Sequence, residues 1–452
     1  MTKHLLLSSL VLVSSIYSSD SIDNILDKST TYGNIKYYYI QTDKQNTNPF
    51  KDSSAKANSI GGQIGIKTAS YYGLSAQATF MTTNGFGFDS SVDSSILSRD
   101  NGIRTEGSPA SSLAQESLTT VGELFLTYTG DSFDVNFGRQ VLKSPLLDAK
   151  EVRVLPSSVE GSVMHYNAEA YNLDFEAAYL TRFKHRTSDQ FINIIEHVLG
   201  THTQSITGSN TGSIAYAKIG WQNTHYALNL YNYYAENFLN SFYANIAYKN
   251  STELFSYSLH AQGIMQRSIG NTDDALSLFS SPTAGKKINA EALSFKAVVS
   301  YEESKLMLGY SYVTGDDGVH DSLVLPWDGT PLYTNMITSN NLFVSNYGKG
   351  LTADSIYIGG TQSFKIAYTQ GYDFTGVKGF QTSVSYMIAD NDKFSKGKQQ
   401  DFNIVLGYKY NKNFSIDLKG IFVKNNTAAA QNGDITQLDD FQQYRVIVNY
   451  TF

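Results

Sequence analysis

A chain of 452 residues with no cysteine and a formal charge of -7 excludes a disulfide framework, thiol catalysis and thiolate metal sites. It also offers no basic surplus for nucleic acid. Its 32 Tyr and 25 Phe are spread among Ser, Thr, Asn and Gln instead of sitting in apolar runs, so the length is better used by one large barrel, apolar outside and wet inside, than by two or three soluble domains.

The first residues read as an export signal. Lys3 and His4 precede an apolar stretch over 5–16, then Ser15, Ser18 and Ser19, with processing expected after Ser18 or Ser19. The stretch is too short to cross a bilayer as a helix. The expected organisation is a signal peptide over 1–18 and a single outer-membrane barrel domain over 19–452.

From about Thr31 onward the pattern has period two, as strands with two chemically different faces require. Eighteen segments are expected, centred near residues 37, 64, 76, 124, 135, 163, 177, 217, 228, 244, 259, 295, 308, 366, 384, 404, 418 and 448. Most have the roughly ten residues that a tilted strand needs to cross an outer membrane. In one late strand Phe402, Ile404, Leu406 and Tyr408 oppose Asp401, Asn403 and Lys409; in the next, Phe414, Ile416, Leu418 and Phe422 oppose Ser415, Asp417 and Lys419. In the last, Tyr444, Val446, Val448, Tyr450 and Phe452 oppose Gln443, Arg445, Asn449 and Thr451, with Ile447 out of place.

The connections alternate short and long. Short turns are expected at Ala69-Ser70, 129–132, 222–224, Asn250-Ser251, Glu302-Glu303 and Asn411-Lys412. Long polar loops are expected near 84–117, 141–160, 184–212, 268–286 and 314–357. Short periplasmic turns with longer outer loops mark a transmembrane antiparallel β-barrel. Pro49, Pro109, Pro145, Pro156, Pro282, Pro326 and Pro331 all fall in the proposed loops, as a closed sheet with no free edge demands.

Pro145-Leu146-Leu147-Asp148, Arg153-Val154-Leu155-Pro156 and Glu160-Gly161 resemble the third-loop signature of the OprD-type porins, substrate-preferring channels of Gram-negative outer membranes. Gly33 with Tyr37, Tyr38 and Tyr39, and the terminal Phe452, add weaker similarity. The resemblance implies an eighteen-stranded barrel whose third loop folds inward to narrow the channel. The independent strand count places 141–160 between strands five and six, where that loop belongs. Lys150 and Glu151 stand where the family usually carries an Asn-Asp-type pair, so substrate preference does not transfer.

Selectivity in such a channel comes from charge and diameter at the constriction. Asp148, Lys150, Glu151, Arg153, Pro156 and Glu160 are the candidate constriction residues, although Arg153 and Glu160 could instead pin the loop to the wall. Alternation points Lys36, Lys67, Arg182, Lys218, Lys296, Lys365, Lys419 and Arg445 into the lumen, and the resemblance also implies a basic ladder on the wall. Asp134, Asp174, Glu176, Asp401 and Asp417 are candidates for a facing acidic wall. The alternative for the cations is that scattered lumen charges only keep the interior wet.

The expected function is passive diffusion of small polar solutes, with a preference for carboxylates or zwitterions such as amino acids and organic acids. No cofactor or metal is expected. Gly130-Asp131-Ser132 lies in a short turn without triad partners; Glu196, His197 and His202 lack a fourth ligand; Asp316, Asp317 and Asp321 lack the order of a calcium loop. Expected partners are anionic solutes, outer-membrane lipid and lipopolysaccharide, the barrel-assembly machinery through Phe452, and two further copies in a homotrimer. The competing classes are a barrel-shaped lipase or protease and a non-conducting adhesin.

Overall fold

The computed structural model describes residues 25, 27–45, 53–85, 117–149, 153–200, 203–204, 208–209, 211–270, 287–316, 318–337, 355–391, 398–425, 428–431, 434–437 and 440–452. The expected signal peptide, Lys150 and Glu151 lie outside them, as do Pro49, Pro109 and Pro282.

The chain runs as β1 (Thr30–Gln45), β2 (Ser53–Lys67), β3 (Leu74–Gly85), β4 (Leu118–Thr129), β5 (Phe133–Gln140), β6 (Ser158–Ala168) and β7 (Leu173–Lys184). A two-residue β8 (Ile192–Asn193) pairs with the end of β7. Then come β9 (Ile214–Gln222), β10 (Tyr226–Ala235), β11 (Leu239–Ser251), β12 (Ser256–Ser268), β13 (Asn289–Tyr301) and β14 (Ser304–Val313). The wall is completed by β15 (Thr361–Gly371), β16 (Phe380–Asn391), β17 (Lys398–Lys409), β18 (Phe414–Asn425) and β21 (Asp440–Thr451), while β19 (Ala428–Gln431) and β20 (Asp434–Gln437) form a separate hairpin.

Each wall strand pairs antiparallel with its sequence neighbour in the wall, and β21 returns to β1 with Lys36 opposite Asn449 and Ile40 opposite Arg445. The sheet therefore closes as an antiparallel barrel of eighteen strands, and all eighteen expected centres fall inside its strands. Closure satisfies every ladder position without an edge, the condition for a sheet in lipid. The seam is tied by Gly33 N–H to the Phe452 carbonyl at 3.1 Å and the reciprocal bond at 3.0 Å. A Cβ on Gly33 would stand 2.8 Å from the Phe452 ring, so a glycine lets the terminal aromatic close over the seam.

The period-two pattern divides the wall as expected. Ile35, Leu124, Leu126, Phe137, Leu259, Phe295, Leu308 and Phe364 are exposed on the outer face. Their strand neighbours Lys36, Gln262, Ser294, Ser311 and Ser363 are buried on the inner face. Ile447, out of phase in the sequence, faces inward and packs on the cluster of Tyr38, Met81, Leu118, Val154 and Leu155. A basic substitution on the lipid side is expensive at mid-height, so Leu308→Arg is expected to cost about 2–4 kcal/mol of barrel stability. Met307→Arg, one residue away and facing the lumen, should cost far less. Guanidinium unfolding from lipid bilayers distinguishes the two, and equal losses would refute the assignment of faces.

The short turns share one end with the start of β1 and the end of β21; the long connections occupy the other. The expected turn at Asn250-Ser251 lies slightly later, at 252–255, where Thr252 N–H donates to the Phe255 carbonyl at 2.8 Å. Pro145, Pro156, Pro326 and Pro331 all sit outside strands.

Candidate functional site

The described residues of the third loop, 141–149 and 153–157, enter the barrel as expected. Its start is folded on itself by the Ser144 hydroxyl donating to the Leu147 carbonyl at 2.7 Å and Ala149 N–H donating to the Leu142 carbonyl at 2.8 Å. Leu142, Leu146 and Leu147 pack in the larger interior cluster, while Val154 and Leu155 pack with Tyr38, Ile40 and Met81 beneath β1 to β4. The loop is thus anchored at both ends by apolar contact inside a polar lumen.

A second loop joins it, which the polar-loop reading of the sequence missed. Residues 320–336 of the seventh loop descend against the inner wall of β12 to β15. Gln262 Nε2 donates to the Pro331 carbonyl at 2.6 Å, Gln266 Nε2 to that of Val324 at 2.7 Å, and Lys365 Nζ to that of Asn335 at 2.5 Å. Thr334 shares hydroxyl bonds with Ser311 and Ser363 at 2.9 and 2.7 Å. Gly309 makes room for this strap, since a Cβ there would stand 3.2 Å from the Tyr333 carbonyl. The signal was present in Leu323-Val324-Leu325-Pro326-Trp327, an apolar run too long for a loop that meets only water.

The two loops and the described start of the fourth loop, 185–200, meet at Asp328. Its carboxylate takes Arg186 Nη1 at 2.5 Å and the Ser157 hydroxyl at 2.6 Å, with His185 Nε2 at 4.0 Å. Asp148 N–H donates to the Trp327 carbonyl at 2.9 Å, and Trp327 Nε1 donates to the Ile194 carbonyl at 3.1 Å. Lys184 Nζ donates to the Pro156 carbonyl at 3.1 Å. Burial pushes the Asp328 carboxyl up, but Arg186, His185 and the Ser157 bond outweigh it and hold it well below the usual carboxylate range. Burial pushes His185 well below its ordinary value, helped by Arg186, and lowers His197 to about 4. His197, a weak metal candidate in the sequence, packs instead against the Phe183 ring at 4.6 Å between centroids. His202 and Asp317 lie outside the described residues. Among those residues no group of three His, Cys, Asp or Glu is placed to hold a metal.

The cations fall into two groups on the inner wall. On β1, β21 and β18, Lys36 Nζ donates to the Arg153 carbonyl at 3.4 Å, Arg445 Nη1 to the Tyr38 hydroxyl at 3.3 Å, and Lys419 stands opposite Arg445 across the strand pair. Burial, then the nearby Arg445, lowers Arg153 to about 9, which leaves it charged at neutral pH. On β13 to β15, Lys296, Gly309 and Lys365 are successive partners in one row, with His260 of β12 next to Lys296. Lys296 lies 4.5 Å above the Tyr333 ring of the strap. Lys67 shares the inner face near the short-turn end, opposite Gln77. Lys218 also faces inward but is bound to Asp174 at 2.5 Å.

Asp134, Asp174 and Glu176 line β5 and β7. Glu176 accepts from the Tyr216 hydroxyl and lies 3.5 Å from His165. In a ring of eighteen, β5 stands nine places from β15, which carries Lys365, and β7 nine places from β17. The acids of β5 and β7 therefore face Lys365 across the lumen, while Lys36 and Arg445 lie four to seven places round the ring from them. Asp401 and Asp417, expected on the acidic wall, lie instead among the cations, with Asp417 3.8 Å from Lys419.

Two further expectations are corrected. Between Gly161–Leu180 and Glu160–Arg182 the register slips by one, so Thr181 is an extra residue in β7. The slip reverses the phase: Leu180 and Phe183 are buried and Arg182 is exposed. Arg182 therefore leaves the lumen and sits beside Glu160, 3.8 Å away, on the outer face that carries Phe137. Glu160 is not a constriction residue either; it lies within β6, bound to Arg139 Nε at 2.9 Å.

The sequence matches the model for "outer membrane porin, OprD family" over residues 25–452. No curated protein matches it. Solved structures share the fold. OccK9 (OpdG) of Pseudomonas aeruginosa superposes with a TM-score of 0.71 at 15% identity, covering 95% of this chain and 99% of its own. OpdK of the same organism, crystallised with vanillate, gives 0.68 at 15% identity with the same coverage. OccK2 (OpdF), in complex with glucuronate, gives 0.67 at 13% identity, also covering 95% and 99%. A closed barrel narrowed by an inward third loop and matched by the family model over the whole barrel admits one conclusion: the chain belongs to the OprD family of outer-membrane porins.

Proposed function

We propose that this porin passes small carboxylate-bearing or zwitterionic solutes by passive diffusion, with no bond-making step. The observation that carries the reading is the separation of lumen charge along the wall: Lys36, Arg153 and Arg445 gather at β1 and β21, Lys296 and Lys365 on β13 and β15, and Asp134, Asp174 and Glu176 on β5 and β7. A solute with a carboxylate is drawn to the cations, and an ammonium group is turned toward the acids. Several cations side by side form weak, exchangeable sites, which conduction requires. Vanillate and glucuronate, found with OpdK and OccK2, are both carboxylates, which supports the same substrate class here. Gly130-Asp131-Ser132 remains in the turn after β4, which supports a channel over a barrel enzyme. The proposed assembly contacts are Phe452 with the barrel-assembly machinery and, for a homotrimer, the outer wall.

The test is liposome swelling with amino acids, organic acids and neutral sugars of similar mass, paired with reversal potentials in planar bilayers. Carboxylates should enter faster than the sugars, and the pore should be anion-selective at low salt. Strong cation selectivity, or equal rates for all solutes, would overturn the preference; a folded barrel with no conductance would remove the pore.

A further inference from the structure

The outer wall carries an ionic row that the channel does not use. Arg139, Glu160 and Arg182 are successive partners on β5, β6 and β7. Glu160 holds Arg139 Nε at 2.9 Å and Arg182 Nε at 3.8 Å. Both contacts use Nε, and neither arginine has another acidic partner within 4 Å among the described residues. The Arg139 guanidinium carbon lies over the Phe191 ring, 4.4 Å from its centroid. Two guanidiniums against one carboxylate leave a net positive charge facing the membrane.

Its height identifies the partner. Directly toward the periplasmic end lie Leu126, Phe137 and Tyr179, each more than half exposed, and then the aromatic girdle of Phe133 and Tyr166. Glu160 stands six residues above Tyr166, about 15 Å up a strand tilted by about 40°. Elsewhere the outward charges begin higher: Glu291, ion-paired to Arg267, stands ten residues above Tyr301 in β13. The apolar band is therefore lower at β5 to β7. Arginines there reach several ångströms further by snorkelling, to about the upper limit of a 25 Å band. Uncompensated charge at that depth needs an anion at the boundary between acyl chains and headgroups.

We infer that Arg139 and Arg182 form a site for a phosphate of lipid A in the outer leaflet. Guanidinium forks bind phosphate in two-pronged fashion through their Nη edges, which are the edges turned away from Glu160. Glu160 holds the two forks apart and limits the attraction.

Native mass spectrometry of the folded porin with bisphosphorylated and dephosphorylated lipid A tests the site. Wild type should bind the bisphosphorylated lipid more tightly, and Arg139→Gln/Arg182→Gln should lower that affinity about tenfold, the loss of one to two charge-assisted bonds. Glu160→Gln should raise it. All three should bind dephosphorylated lipid A alike and retain heat-modifiable migration. Equal binding of the two lipids by wild type overturns the proposal without any variant. So does a lipid-independent dimer or trimer abolished by the double substitution, which would assign the row to a second copy of the chain.

Discussion

Replacing Asp328 by alanine is expected to release the strap of the seventh loop and widen the pore. The substitution removes the carboxylate that joins Arg186 of the fourth loop and Ser157 of the third to the seventh. It leaves the partly buried Arg186 guanidinium without its partner at 2.5 Å, a change expected to fall below the roughly 3–5 kcal/mol seen in fully buried pairs. The barrel ladder is untouched, so the loss falls on the loop packing rather than on the wall. Larger single-channel conductance, stronger current noise and faster proteolysis within 320–336 are the expected readouts, with barrel migration on gels unchanged. Asp328→Asn, which keeps the shape and can still meet Ser157, should show a smaller effect. Wild-type conductance and protease resistance in the alanine variant would show that apolar contacts of Trp327 and Leu332 hold the strap alone.

The same cluster makes the strap sensitive to acid. His185 and His197 bind protons less readily in the folded loops than in released ones, because burial disfavours their charged forms. The released state then carries more protons between about pH 4, set by His197, and the ordinary imidazole value near 6.5. Packing is complete above that window and weakens as pH falls through it. Asp328, with its depressed value, adds a further loss only at stronger acidity. Noise should therefore rise on acidification from about 6.5 toward 4, and His185→Gln/His197→Gln should flatten that rise.

The wall was legible in the sequence because lipid and water impose opposite chemistry on alternate residues. Phe402, Ile404 and Leu406 against Asp401 and Asn403 leave no second reading. Ile447 broke the alternation because the third loop brings Val154 and Leu155 to the inner wall, turning part of a wet lumen dry. The position of that loop was legible from counting, since it follows the fifth strand. Regular alternation through Thr181 places Arg182 in the lumen, and the extra residue at Thr181 turns it to the outer face. The phase slip was visible as apolar residues at Leu180 and Phe183 instead of Leu180 and Arg182, but a one-residue insertion has no composition of its own. The strap was hidden for a different reason. Only long-range contacts show which wall 320–336 meets, and Gln262, Gln266 and Ser294 are as suited to water as to a loop backbone.

Removing Lys296 and Lys365 together is expected to shift ion selectivity more than any change elsewhere in the wall. Both face the lumen in one row, separated by Gly309, and Asp401 of β17 is the carboxylate that acts on Lys365 from beyond ion-pair distance. A unit charge about 8 Å from a passing carboxylate contributes about 2 kcal/mol at an effective dielectric of 20. Screening over a Debye length of about 8 Å at physiological salt reduces this to under about 1 kcal/mol. Two such charges then correspond to about a tenfold change in relative anion permeability. Lys296→Gln/Lys365→Gln should move the reversal potential toward cations by that factor at low ionic strength, and the difference should shrink at 1 M salt. Lys365→Gln also loses the bond to the Asn335 carbonyl, so Lys296→Gln alone serves as the variant that leaves the strap tied. Arg182→Gln is the matching control: a charge on the outer face should leave the reversal potential where it was. If Arg182→Gln shifted selectivity as much as Lys296→Gln, the bulge in β7 would not separate inside from outside, and the cation row would lose its physical basis.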